Sequence, residues 1–201
     1  MDNKTFYTTI EKSGTAEFRD RGSRFIGYAF PAGSVEQFKK ELEQIKREHP
    51  KATHHCFAYR IGLDGNSFRV NDDGEPSGSA GKPILGQIDS KELVNVGVVV
   101  VRYFGGTMLG VPGLINAYKT TASVVLQTIP FVQKTIERSY QLQFDYTMIN
   151  EIMMIIKQCN CTLLQQEVQL FCLYKIGVPL NREEEVLYRL KQLHTVEVKA
   201  C

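Results

Sequence analysis

What this sequence lacks narrows its reading before any motif is considered. No stretch approaches the ~18 consecutive apolar residues of a membrane-crossing helix, so no membrane partner is expected. The opening MDNKTFYTTI has no apolar core of the kind a secretory signal needs, and a cytoplasmic location is expected. Neither sign of charge is in excess: 24 Lys and Arg stand against 22 Asp and Glu, a net +2. That disfavours a strongly electrostatic nucleic-acid binder and leaves only a local basic patch open. Cysteine is scarce and odd in number. The five, Cys56, Cys159, Cys161, Cys172 and Cys201, show no CxxC spacing. They fit reduced thiols better than a disulfide framework. Cys159 and Cys161 form a CxC pair with no second pair at ligand spacing, so they read as packing or loop thiols rather than a metal site.

The chain of 201 residues has room for one large domain or two small ones. Residues 5–30 alternate loosely between glycines and predict a short β-meander. In SVEQFKKELEQIKREHP, Val35, Phe38, Leu42 and Ile45 share one helix face. Ser34 with Gln37 makes a capping box, and Pro50 stops the chain. THHCFAYRI predicts a strand with His54, Cys56, Ala58 and Arg60 on one side and Thr53, His55, Phe57 and Tyr59 on the other. NSFRVND predicts another strand, with a turn at LDGN before it. NVGVVVVRYF reads as a strand buried on both faces. LINAYKTTASVVLQTI reads as a helix with Leu114, Ala117, Tyr118, Thr121, Val125 and Leu126 on its apolar face.

Pro130 marks a boundary, dividing the chain into domains 1–131 and 132–201. Beyond it Tyr140, Leu142, Phe144 and Tyr146 alternate on a strand. The elements run βαββαβ, the order of a ferredoxin-like sandwich. Asn181 is expected to cap the last helix, with Glu184 in the capping-box position. Met148, Met153 and Met154 read as core. The charges of 132–201 balance, so the net +2 lies in the first domain. The overall class is α+β.

Two segments hold the candidate chemistry. NDDGEPSGSAGKP, residues 71–83, approaches a phosphate-binding P-loop. However, Pro76 stands where the first glycine belongs, and Pro83 stands where the metal-binding hydroxyl belongs. A hydrolase elbow fails because Ser77 is out of place. Asp64, Asp72, Asp73 and Glu75 are acids near turns, without the EF-hand spacing. They read as turn chemistry before metal ligands. A nucleophile–base pair would bring Ser77, Ser79 or Cys56 to His54 or His55. RYFGGTMLGVPG, the second segment, sits between a buried strand and a helix. It could bind an anion with help from Arg102 and Lys119, or could use its glycines only for close packing.

Taken with HHCFAYRIG (54–62), the runs NDDGEPSGSAGKPIL (71–85) and VGVVVVRYFGGTMLGVPGLINAY (96–118) resemble the Impact/YigZ family in its bacterial two-domain form. Arg102 to Gly110 carries the run R-aromatic-aromatic-GG-x-x-LG in full. The resemblance implies a first domain similar to domain IV of elongation factor G, a fold shared with small-subunit ribosomal proteins. It implies a second domain similar to domain V of that factor. Eukaryotic relatives regulate translation initiation by competing for the activator of a stress-responsive kinase. Some bacterial relatives carry a proline dipeptidase label, which this chain's few metal-ligand residues do not support.

The expected function is therefore a non-enzymatic binding protein acting on the translation machinery. It would touch the ribosome, RNA or a translation-associated protein, with no cofactor, no metal and no DNA specificity. The candidate surface comprises His54, Arg60, Asp72, Asp73, Glu75, Ser77, Ser79, Lys82, Arg102, Tyr103, Gly105 and Gly106, with Arg69 contributing charge. A small hydrolase using His54 with Ser77 or Ser79, and a protein–protein adaptor, are the alternatives. The two glycine-rich loops are expected to pack together. The oligomeric state is open.

Overall fold

A computed structural model describes residues 4–63, 67–193 and 195–201. The expected turn at LDGN and the acid Asp64 therefore fall largely outside the described residues. The chain separates into two units: Tyr7–Gln133, and residues 4–6 together with Lys134–Cys201. The elements of the first part are β1 (Phe6–Ile10), β2 (Gly14–Asp20), β3 (Ser23–Pro31), α1 (Val35–Glu48), β4 (His54–Ile61), β5 (Ser67–Asn71), α2 (Gly81–Asp89), β6 (Val96–Tyr103), α3 (Gly110–Gln127) and β7 (Phe131–Thr135).

The valine strand β6 is the middle of an antiparallel five-stranded sheet, ordered β2-β3-β6-β4-β5. Seven of its eight residues are buried, because helices cover both faces. On one face Val96, Val98 and Val100 meet Phe25, Cys56, Ala58, Ile84, Ile88, Leu114, Tyr118, Val125 and Leu126. On the other, Val99 and Val101 meet Ile26, Phe30, Phe57 and Tyr59 under Phe38, Leu42 and Ile45 of α1. The two sides of β4 divide as their alternation predicts. The apolar face expected of α3 is buried at all six positions.

At the start of α1, the Gln37 N–H donates to Ser34 Oγ at 3.1 Å. The Gln37 side chain reaches back one residue further than a capping box requires and accepts from Gly33 N. The meander is shorter than expected. β2 and β3 form a hairpin, whereas β1 pairs with β7 in a separate two-stranded ribbon.

The other unit contains β8 (Glu137–Phe144), α4 (Ile149–Gln158), β9 (Thr162–Val168), β10 (Cys172–Pro179), α5 (Glu183–Gln192) and β11 (Glu197–Ala200). The elements run βαββαβ, and the antiparallel sheet is ordered β11-β8-β10-β9. Tyr140, Leu142 and Phe144 are buried. Tyr146 is exposed, because the strand has already turned into a 3-10 segment there. Asn181 does not cap α5. It lies within a preceding 3-10 turn, and α5 starts without a side-chain cap. Met148 packs against the core, but Met153 and Met154 are exposed. The buried stripe of α4 is Ile152, Ile155 and Ile156, and at about 100° per residue positions 153 and 154 turn away from it.

Candidate functional site

The loop after β5 is held from inside by Asp72. Its Oδ2 accepts from Gly78 N at 2.8 Å, and its Oδ1 accepts from Ala80 N at 3.0 Å and Gly81 N at 2.8 Å. Ala80 at the start of α2 has no side-chain cap to offer, so Asp72 satisfies these amides from six, eight and nine residues away. Burial pushes the Asp72 carboxyl upward, but the three amides together hold it below its ordinary range.

Asp73 and Gly74 follow in left-handed backbone, with φ of 43° and 88°. This reversal lets Asp73 Oδ2 accept from His55 N at 2.6 Å and brings the Asp73 carbonyl to His54 Nδ1 at 2.7 Å. Ser79 Oγ donates to the Pro76 carbonyl at 2.6 Å.

Glu75 points from this loop into the protein. Its Oε1 accepts from Arg102 Nη1 of β6 at 2.6 Å and from the Tyr118 hydroxyl of α3 at 2.7 Å. His54 Nε2 stands 3.8 Å from the same oxygen. Arg102 Nη2 donates to Ser23 Oγ at 3.3 Å. The guanidinium lies over the rings of Phe25 and Phe104. Both charges are out of water, with Arg102 5% and Glu75 8% exposed. Such a pair is tolerable only because each charge keeps its partner. The Cys56 thiol donates to the Asp72 carbonyl at 3.0 Å, and its sulfur lies 3.3 Å from the Tyr118 hydroxyl oxygen. Burial pushes both Cys56 and Tyr118 up, well away from ionisation. Both side chains are closed off from solvent.

The second glycine segment explains itself by contact. A Cβ on Gly105 would lie 1.9 Å from the Gly22 carbonyl carbon. The chain there crosses directly over the β2–β3 turn, with Gly105 N donating to Ser23 Oγ at 3.3 Å. Beyond it Gly106 and Gly110 adopt φ of 86° and 71°. This backbone leaves large apolar side chains open: Phe104 is 49% exposed, Met108 86%, Val111 46% and Ile115 39%.

The structure thus brings His54, Asp72, Asp73, Glu75, Arg102 and Gly105 into one connected cluster and joins the two glycine-rich loops through the Glu75–Arg102 pair. Other expected members fall elsewhere. Tyr103 alternates to the opposite face of the sheet, where its hydroxyl meets His49 Nδ1 at 2.8 Å. Arg60 sits six residues along β4 from His54, with its Nε donating to Asp89 Oδ1 at 2.7 Å. Lys82 and Ser77 are exposed, and Ser79 is buried. Arg69 pairs in register with Tyr59, on the face away from Arg102. No hydrogen bond joins His54 to Ser77 or Ser79 among the described residues, because Ser79 is committed to the Pro76 carbonyl. The His/Ser pair of the alternative hydrolase reading is therefore not formed among the described residues.

Asp72, Asp73 and Glu75 direct their oxygens at three different sets of partners. Among the described residues no group of three His, Cys, Asp or Glu is placed to hold a metal ion. Sequence reasoning missed Ser23 and the polar role of Tyr118. Tyr118 reads as one more apolar position on α3, and only the fold shows where its hydroxyl ends.

Comparison with known proteins places this geometry in context. The Impact N-terminal domain family matches residues 21–126, a span that holds Ser23, His54, Glu75, Arg102 and Tyr118. The IMPACT family member YigZ of Escherichia coli is 35% identical over 170 residues, covering 84% of this chain and 83% of that protein. The IMPACT family member YvyE of Bacillus subtilis is 38% identical over 146 residues, covering 73% and 67%. The protein IMPACT of Rattus norvegicus is 33% identical over 98 residues, 47% of this chain and 31% of that one. A crystal structure of a hypothetical protein superposes with a TM-score of 0.78 at 30% identity, covering 98% of each chain. With the match spanning the strands, both glycine-rich loops and the buried network between them, the chain belongs to the Impact family.

Proposed function

We propose that this is a non-enzymatic binding protein that regulates or serves the translation machinery, with its contact surface on the second glycine loop and the first turns of α3. One observation carries the reading. Glu75, Arg102, Tyr118 and Cys56 are engaged with one another in a buried network, while the loop above it and the first turns of α3 present Phe104, Met108, Val111 and Ile115 to solvent. Val111 and Ile115 are four residues apart and share a helix face. Exposed apolar clusters of this kind mark contact with another macromolecule.

Family membership, with relatives named IMPACT in eukaryotes, supports the translation-related role. We further read residues 1–131 as the Impact-type domain resembling elongation factor G domain IV. Residues 132–201 would be a ferredoxin-like domain resembling domain V. The βαββαβ order with strands arranged β11-β8-β10-β9 supports the second of these. A cytoplasmic location accords with this role.

A protein component of that machinery fits the surface better than RNA phosphate does. Arg102, the central cation of the expected basic face, is locked to Glu75. Tyr103 and Arg69 lie on the other side of the sheet.

Co-sedimentation with ribosomes from lysate tests the role. Association is expected, with Met108→Glu and Ile115→Glu each reducing the bound fraction and a rise in salt reducing it little. Loss of binding along the steep salt slope of phosphate contacts would replace the protein partner with RNA. No association at any salt would remove the translational reading.

A further inference from the structure

A free sheet edge is a row of unpaired backbone donors and acceptors, and proteins blunt such edges by shortness or charge. Three of the four edges in the two larger sheets are blunted. β11 has four residues and carries Lys199. β5 has five and carries Arg69. β2 places Glu17 between Arg19 and Arg24 in an exposed ion-pair cluster.

β9 is different. Its seven residues, TLLQQEV, include no Lys, Arg or Pro, and six of the seven are exposed. β10 covers one side of it, and among the described residues no strand covers the other. Leu164 is 50% and Val168 57% exposed, and the turn that follows holds Leu170 at 87% and Phe171 at 54%. Its protection is limited to a single charge, Glu167, and a bulge at Leu164, where the register passes from Lys175↔Gln165 to Ile176↔Leu163. Gln165 to Val168 remain in regular register.

We propose that β9 is a self-association edge. Two copies of this chain pair β9 to β9, antiparallel, about a two-fold axis at Gln166, and so join two four-stranded sheets into one of eight. The strand's own pattern selects a second copy as the occupant. Antiparallel pairing about Gln166 sets Leu164 opposite Val168 of the second copy, and Gln165 opposite its Glu167. Each pair occurs twice, as an isologous interface requires. Glu167, the only charge on the strand, then faces an amide and never its own counterpart. The chemistry of that pair is already seen within one copy, where Gln165 Nε2 donates to Glu167 Oε1 at 2.9 Å. A strongly charged foreign strand would find no row of opposite charge along this edge.

Sedimentation velocity of the full chain across the micromolar range is expected to show a concentration-dependent dimer. Leu164→Lys with Val168→Lys sets lysine against lysine in both pairs and should weaken the dimer by about tenfold or more, since like charges directly opposite are destabilising. Leu164→Glu with Val168→Lys sets opposite charges across the axis in the same register and should restore it. Both positions are exposed, so the melting temperature of either variant should stay near that of the parent.

A cross-link provides an independent measure. In a Cys201→Ser background, Gln166→Cys should oxidise to a covalent dimer. Antiparallel partners lie about 4.5–5.5 Å apart at Cα, within disulfide reach. Monomers throughout overturn the proposal, whether or not a foreign peptide is captured on β9. A dimer indifferent to the two lysines, with no Gln166→Cys cross-link, overturns it as well.

Discussion

Glu75 shows most clearly how a residue's neighbours decide its role. It accepts from both Arg102 and Tyr118 in a site almost closed to water. Removing one partner of a buried ion pair strands the other charge and costs about 3–5 kcal/mol. Arg102→Ala is accordingly expected to lower unfolding stability by roughly that amount, read from the urea midpoint. The two neighbouring glycines should separate cleanly. Gly105→Ala would force its methyl into the backbone of Gly22 and should prevent the native crossing. Gly106→Ala meets open space and carries only the left-handed backbone cost of about 1–2 kcal/mol.

Asp72 adds a pH dependence. Its folded-state carboxyl is held below its ordinary range, so the stability it contributes is complete above the unfolded value. That contribution is lost as pH falls through the lower, folded one. Asp72→Asn should flatten the fall in melting temperature below about pH 4. Nothing local in GEP indicates that Glu75 is buried, because turn acids are ordinarily solvated. The information lay in Arg102 and Tyr118, 27 and 43 residues away.

Periodicity exposed some elements well, and where it failed the cause is local. β6 read correctly as doubly buried because valine fills every position that two helix layers would cover. α3 read correctly despite its β-branched residues because six positions share one face. The sequence predicts β1 in a meander, but strand character says nothing about which partner a strand takes, and β1 pairs with β7. Tyr103 follows Arg102 in the motif, yet adjacent strand residues point to opposite faces. Applying that alternation to 102 and 103 would have separated them in advance. α1 begins on a side-chain cap that can be tested by itself. Ser34→Ala removes the acceptor for Gln37 N and is expected to cost about 1 kcal/mol, measured as a small shift in thermal midpoint.

At the scale of the whole molecule, each of the two units holds its own buried core, and that of the first lies on both faces of its sheet. The family was legible from long motifs, while the site's meaning was not. In the run rich in glycine and charge, Glu75 turns inward and Asp72 and Asp73 are engaged by backbone amides, while Lys82 and the apolar residues of the next segment face solvent. Met108→Glu should leave the fold intact, since that side chain is 86% exposed, and should weaken partner association. Unchanged melting with reduced ribosome co-sedimentation is the expected pair of results.

The distribution of thiols has a practical consequence. Cys56 is sealed within one core and Cys172 within the other, whereas Cys201 is exposed. With Cys201 replaced by serine, alkylation of Cys56 and Cys172 under rising denaturant becomes a clock with two separate hands. Each thiol is modified only when its own core opens, and mass spectrometry of the two peptides would show whether the halves of this chain come apart together or one before the other.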